Sequence, residues 1–532
     1  MKRIHAGLTA IFAVLFLLNF LSCEKQKQEK GEELVLQNCQ SCHLMPAPED
    51  LNQQTWEREI LPKMAARLGL NNGDWSEISV LKEMHMFPDT SLLSREEWQE
   101  IVQYFRKNSP PFPLQSPDLL PINISSETFS STENSIPNIR PTISLLHYDS
   151  KSHAVLYGNS DNGSLNAYSL VEETVSSQPV GGVPSFMLAA EEGFYVLTMG
   201  QIMPHNEHTG ALKYVPFTEG GWENPEQVLD SLQRPVYASL GDLDMDGKED
   251  VVISSFGNYV GELAWYSDFN SPNRKKHVLS TAPGALKTVI DDVNADGLPD
   301  ILALMAQGEE GVYLYLNQGS GQFRAKQILR YPATYGSTYF EWKDMTGDGL
   351  KDILYVNGDN GDYYPIVKRF HGIRLLVNQG DMVFEEAFFL EQHGVFKVIS
   401  EDFDQDNDLD LAAISYFPDY ANRPQESFVY YENKGNFSFN ASTFEATPSG
   451  KWLTMDAADL DLDGDKDIIL GSTIYMSQDA PKEVRGGWMR ERSPIRFLAN
   501  TSKHHLDKVL AMSDTTHKRS AYYWLHLTNE RP

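Results

Sequence analysis

Apolar positions change their spacing several times along the chain. Lys2 and Arg3 precede an unbroken apolar run from Leu8 to Leu21, which ends at Ser22-Cys23. A membrane-spanning helix needs about 20 apolar residues. This shorter run behind a basic start therefore predicts a secretory leader over 1–22. The period then becomes helical. Trp56, Ile60, Met64 and Leu68 share one stripe of a helix over 51–69, with Gly69 as its stop and Pro62 as a kink or break. Ser94-Arg95-Glu96-Glu97 forms a capping box. The helix behind it carries Trp98, Ile101, Val102 and Phe105 at i, i+3, i+4 and i+7 and ends at Pro110-Pro111. Pro113, Pro117, Pro121, Pro137 and Pro141, with serines between, predict an extended linker.

Beyond the linker the apolar runs shorten and become rich in β-formers: Val251–Ile253, Ile301–Ala303, Ile353–Tyr355, Leu411–Ala413 and Ile468–Leu470. Further strands are expected at Tyr313–Asn317, Arg374–Asn378 and Val429–Asn433, each followed by a turn. Two earlier units repeat the strands in degenerate form, a hairpin over His153–Leu170 turning at Asp161-Asn162-Gly163, and Ser185–Val215. A period near 50 residues with several strands per unit is the mark of a propeller blade. Seven blades fit the length, with an eighth if the tail after His504 adds strands. The expected fold is mainly β: a seven-bladed β-propeller with calcium loops, preceded by a small all-α domain. The expected division is leader 1–22, tether 23–31, helical domain 32–108, linker 109–140 and propeller 141–532.

The chain has 532 residues, 41% of them apolar, which is enough to bury cores and excludes wholesale disorder. Its formal net charge of −30 argues against a nucleic-acid partner. Three cysteines exclude a disulfide-dense scaffold. Cys23 follows a small residue at the end of the leader and precedes a polar tether. This arrangement resembles the lipobox of bacterial lipoproteins, which implies lipidation of Cys23 and an anchor in the cell envelope, periplasmic or outer-membrane. The alternative is a soluble secreted protein cut near Ser22.

Cys39-Gln40-Ser41-Cys42-His43 has the spacing of c-type haem attachment. Two thiols one helical turn apart reach the vinyl groups of one porphyrin, and His43 then falls under the iron. A redox C-x-x-C would need a βαβ context, and none follows. The surroundings look like a small cytochrome c domain, with one haem c. Met64, Met84 and Met86 are candidates for the sixth ligand. Leu61-Pro62-Lys63-Met64 resembles the methionine segment of bacterial cytochromes fused to propellers, which favours Met64, with Met86 next.

One polar pattern recurs ahead of the strands: D-x-[D/N/T]-x-D-[G/N]-x-x-D. Its copies are Asp242, Asp244, Asp246, Asp250; Asp292, Asn294, Asp296, Asp300; Asp344, Thr346, Asp348, Asp352; Asp402, Asp404, Asp406, Asp410; and Asp459, Asp461, Asp463, Asp467. Alternate oxygens on a tight loop wrap one hard cation, so up to five Ca²⁺ are expected. An EF-hand would place Glu at position 12 between helices, whereas here Asp stands at position 9 before a strand. The repeats resemble the FG-GAP/VCBS family over about residues 140–500, which implies a calcium-bearing propeller like the integrin α head.

Propellers bind at the ends of their channel. The innermost strands here begin with Arg234-Pro235-Val236-Tyr237, Leu286-Lys287, Ser337-Thr338-Tyr339, Gly394-Val395-Phe396-Lys397 and Lys451-Trp452. This mixture would suit an anionic or sugar-like ligand, or a redox partner, at the mouth. An insertion over Asn357–Arg374 carries Asp359, Asp362, Tyr363, Tyr364, Lys368, His371 and Arg374. Of these, Tyr364, Lys368, His371 and Arg374 are the candidate acid/base group, against a reading as a structured lid. The expected function is electron transfer. The alternative is a sugar-active propeller enzyme, since the repeats look like those of some polysaccharide lyases and of fungal aldos-2-ulose dehydratase. A haem domain argues against a pure adhesion module.

Overall fold

The computed structural model describes residues 30–70, 86–116, 119–124, 128–131, 136, 139–218, 221–361, 364–491 and 494–502. The leader with Cys23, together with Met84, Asp362, Tyr363 and the tail beyond His504, lies outside the described residues.

A helix covers 30–39 and ends at Cys39. The expected helix over 51–69 is present in three pieces: an α-helical turn at Gln53–Thr55, a π-helical turn at Trp56–Ile60, and an α-helix at Leu61–Arg67. Pro62 is the reason. It has no N–H for the carbonyl of Arg58, and the widened turn lets the Leu61 N–H reach Trp56 instead. Gly69, at φ +77, stops the helix. The capping box forms as expected: Ser94 accepts from the Glu97 N–H and Glu97 accepts from the Ser94 N–H, opening a helix at Arg95–Asn108. Leu34, Val35, Leu51, Trp56, Leu61, Trp98, Ile101 and Phe105 form the core of this segment.

Seven sheets follow among the described residues, most of them simple four-stranded meanders. Their first strands are Ile143–Asp149, Pro184–Ala190, Pro235–Gly241, Ala285–Asp291, Ser337–Lys343, Val395–Glu401 and Trp452–Ala458. Each of these packs against the first strand of the next sheet, and the seventh packs against the first, so the ring closes around them. Every one carries a β-bulge at its start, between residues such as Ala285 and Lys287 or Val395 and Lys397. A bulge re-aims the side chains that follow it.

The 109–140 segment does more than connect. Ile122–Ile124 adds a parallel strand to the sixth sheet, beside Ala441–Thr443. Phe129–Ser131 pairs with Ile495–Asn500 as the outermost strand of the seventh. The chain thus fastens its last blade with a strand that precedes its first. Phe129 is buried against Phe403 and Tyr430, with ring centroids 5.4 and 5.0 Å away.

Candidate functional site

The five aspartate loops join the first and second strands of sheets three to seven. Each repeats one hydrogen-bond plan. The first aspartate accepts from the N–H of position six: Gly247, Gly297, Gly349, Asn407 and Gly464, at 2.9 to 3.1 Å. Positions four and six are both left-handed. Position four is Met245, Ala295, Gly347, Gln405 or Leu462. Side chains other than glycine pay about 1 kcal/mol or more for that geometry. The fold therefore holds a strained loop in order to turn alternate carboxylates inward.

In three of the loops the carboxylates at positions one and three come together with a third, from position five or position nine. Oxygens of Asp242, Asp244 and Asp246 lie within 4.8 Å of one another, as do those of Asp402, Asp404 and Asp406, and those of Asp459, Asp461 and Asp467. Buried oxygens of Asp402, Asp408 and Asp465 have no hydrogen-bond partner. Burial and neighbouring carboxylates raise Asp465 to about 7, and burial raises Asp467 to about 6. Crowded, desolvated carboxylates with orphaned oxygens fit a hard cation, which would restore the charged form. Asp408 and Asp465, at position seven, escaped the motif because that position was left unconstrained.

Position nine has a further role. Asp250, Asp300, Asp352, Asp410 and Asp467 are buried, and each accepts two backbone N–H groups, one from its own loop and one from the end of the third strand. In the fourth loop these are Phe403 and Asn433, at 3.2 and 2.8 Å. These aspartates tie the loop to the sheet whether or not they also touch a cation.

At the other end of the chain, Cys39 closes its helix half-buried, and Cys42 is exposed in the turn that follows. Burial, then Cys42, pushes the Cys39 thiol up to about 11, so it is not a reactive thiolate. The His43 Nδ1–H donates to the Leu44 carbonyl at 2.9 Å. That bond sets the tautomer with a free Nε2, the atom an axial ligand uses. Met64 packs into the same apolar cluster as Cys39. Met86 lies in a separate small cluster with Ala66, Phe87 and Tyr259. The donor set fits a covalently attached haem.

The cations expected at the mouth are already engaged. Lys287 Nζ lies 3.7 Å from the centre of the Tyr339 ring and donates to the Phe340 carbonyl at 2.8 Å. Lys397 donates to Met455 at 2.7 Å, and Lys451 pairs with Asp479 at 2.8 Å. Lys287 and Lys397 thereby reach the next blade, and Lys451 also donates to the Tyr416 carbonyl of the sixth blade at 2.6 Å, so they lace the ring together. Burial lowers the Lys287 and Lys397 pKa values and raises that of Glu341 between them.

The insertion residues do not converge on an open cleft. Lys368 Nζ donates to the carbonyls of Thr334 and Asp359 at 3.1 and 3.2 Å. His371 is fully buried and accepts from the Gly394 N–H at 3.3 Å. Burial and the charges of Lys368, His393 and Arg374 hold His371 well below its ordinary pKa. Arg374 donates to Glu386 at 2.9 Å and lies 3.9 Å from the centre of the Phe389 ring, while Tyr364 is exposed. Sequence reasoning missed the buried cluster beside them. Glu426, 0% exposed, accepts from Arg423 and pairs with His393 Nδ1 at 2.8 Å. The signal was faint: Arg423 and Glu426 stand three apart, but His393 is distant in sequence.

Among the described residues, no helix is long and apolar enough to cross a membrane. Residues 292–355 and 402–470 match the FG-GAP-like repeat. Each stretch contains two of the aspartate loops. No curated protein matches the chain in sequence. Similar solved structures include a protein from Lactobacillus plantarum, with 10% identity, a TM-score of 0.36, and 58% of this chain and 84% of that one covered. The major Malassezia sympodialis allergen Mala s 1 is similar at 9% identity and a TM-score of 0.35, covering 72% and 99%. The repeat match and the closed ring of sheets together identify the chain as a seven-bladed β-propeller that carries FG-GAP-like repeats.

Proposed function

We propose that this protein is an electron carrier of the cell envelope. One c-type haem is attached to Cys39 and Cys42, with His43 and Met64 on the iron. A calcium-stabilised propeller docks a redox partner or small substrate, and Cys23 carries the lipid anchor. The observation that supports this best is local: His43 is oriented through Nδ1 next to the two cysteines, and Met64 shares the apolar cluster of Cys39. A haem with both axial positions filled exchanges electrons rather than binding substrate. The five loops supply carboxylates for up to five Ca²⁺, which would offset part of the −30 charge. The sugar-enzyme alternative has less support, because Lys368, His371 and Arg374 are buried and spent on structural contacts.

The test is the visible spectrum of protein matured with covalent haem, oxidised and reduced. The methionine-to-iron charge-transfer band is expected in the wild type and in Met86→Ala, and lost in Met64→Ala. Loss in Met86→Ala instead would move the ligand there. Colourless protein with no added mass would overturn the haem assignment.

A further inference from the structure

The loop between the second and third strands of the fifth blade, 358–371, is long where its neighbour in the fourth blade, 306–309, is short. Successive strands are antiparallel, so this loop lies at the end of the blade opposite its aspartate loop. Connections of this length are uncommon in compact domains. Several of the loop's described residues are tied down. Asn360 Nδ2 holds the Ile366 carbonyl at 2.8 Å, Lys368 ties the loop to Thr334, and Phe370 stacks on Tyr335 with centroids 4.4 Å apart and planes 9° apart.

The loop and the propeller residues beside it meet the helical segment at several points. Ile366 packs against the apolar cluster that contains Cys39 and Met64. Thr334 Oγ1 donates to Asp50 Oδ2 at 3.1 Å, and the Arg369 charge lies close enough to act on the Asp50 carboxyl. In the third blade, Tyr259 packs against Ala66 and Phe87. A tethered domain that swung freely would have no such contacts, because each immobilised side chain costs entropy.

We propose that residues 364–371 are a clamp. They seat the helical segment on the propeller face opposite the aspartate loops, and Ile366 supplies part of the wall of the pocket that holds the haem. The wall rests on the haem reading, whereas the clamp does not.

The test uses hydrogen exchange on the full-length protein, in wild type, Ile366→Asp, Ile366→Ala and Thr334→Val, with haem attached and also in the Cys39→Ser/Cys42→Ser background. In the wild type, 364–371 and the Arg95–Asn108 helix are expected to be protected together. Ile366→Asp is expected to speed exchange in both by about tenfold or more, with the blade strands unchanged. Ile366→Ala and Thr334→Val give smaller shifts of the same kind and serve if the aspartate variant fails to fold. Exchange in the helical segment that ignores all three substitutions would sink the clamp. In haem-loaded protein, Ile366→Asp is expected to lower the midpoint potential by admitting water to the iron's surroundings. An unmoved potential alongside faster exchange overturns the wall. Failure of the haem reading shows separately, as missing absorption bands, and leaves the exchange result standing.

Discussion

Asp410 is 0% exposed, yet three hydrogens aim at its carboxylate: the N–H groups of Phe403 and Asn433 and the hydroxyl of Tyr430, at 2.6 Å. Burial raises its pKa to about 6, because desolvation outweighs those three bonds. Asp410→Asn replaces one acceptor oxygen with a donor facing donors. It is expected to cost about 1–3 kcal/mol even in saturating calcium. Asp406→Asn alters an exposed carboxylate and is expected to matter only through calcium. Melting curves with calcium and with chelator separate the two. His393 offers a pH test. Burial alone would push it down, but Glu391 and Glu426 raise it to about 9. Its folded pKa lies above the unfolded value near 6.5, so its stabilisation is complete below that and drains away as pH rises through about 9. His371 works the other way, since a buried neutral imidazole costs stability as pH falls below about 6.5. His393→Gln isolates the first effect. The stability gap between wild type and variant is expected to be largest near pH 6, at about 2–3 kcal/mol, and to close by about pH 10 in denaturant titrations.

At the scale of elements, the loops trade backbone strain for carboxylate placement. Gly464 has φ +97, and a Cβ built there meets nothing within 4 Å. Gly464→Ala therefore tests backbone conformation without a steric clash, at an expected cost of about 1 kcal/mol. Asn407, at φ +76 in the equivalent position, reads as the tolerated substitute, and Asn407→Gly is expected to be neutral or slightly stabilising. Both are read as shifts in thermal midpoint. A loss in Asn407→Gly matching that of Gly464→Ala would mean that the side chain, not the backbone, decides this position. The π-helical turn ahead of Pro62 teaches the same lesson in a helix. The break expected from Pro62 takes the form of a wider turn, because Leu61 can reach back to Trp56 and keep its hydrogen bond.

At the scale of the molecule, closure and charge decide stability. Phe129→Ala removes a buried ring from the strand that fastens the last blade to the ring. It is expected to cost about 3–5 kcal/mol and to raise exchange first in Ile495–Asn500. A uniform rise across all blades would mean that the ring opens only as a unit. Calcium removal is expected to act more broadly. Each cation bound to the folded state alone, at about a hundred times its dissociation constant, adds about 2.7 kcal/mol. A chelator is therefore expected to lower the melting temperature, and added salt to recover part of the loss by screening the −30 charge. No shift with chelator would remove calcium from the account.

The propeller was legible in the sequence because its signals are local. The aspartate spacing, the apolar strands behind it and the period near 50 residues all lie within single repeats, and short-range sterics and burial dictate them. The capping box at Ser94 and the C-x-x-C-H run are local in the same sense. Tertiary structure decided what depends on partners distant in sequence. Phe129–Ser131 became a strand because residues 495–500 offered an open edge. Lys287, Lys397 and Lys451, read as a binding mouth, became ties because carbonyls in neighbouring blades, and for Lys451 also Asp479 of its own blade, were within reach of chains already losing water. The His371 pKa is held low because the fold buried it and then packed Lys368, His393 and Arg374 around it. Composition can show that a lysine or histidine is present. Whether it meets solvent or another strand's backbone is set only when the ring closes, because desolvation depends on everything packed around the group.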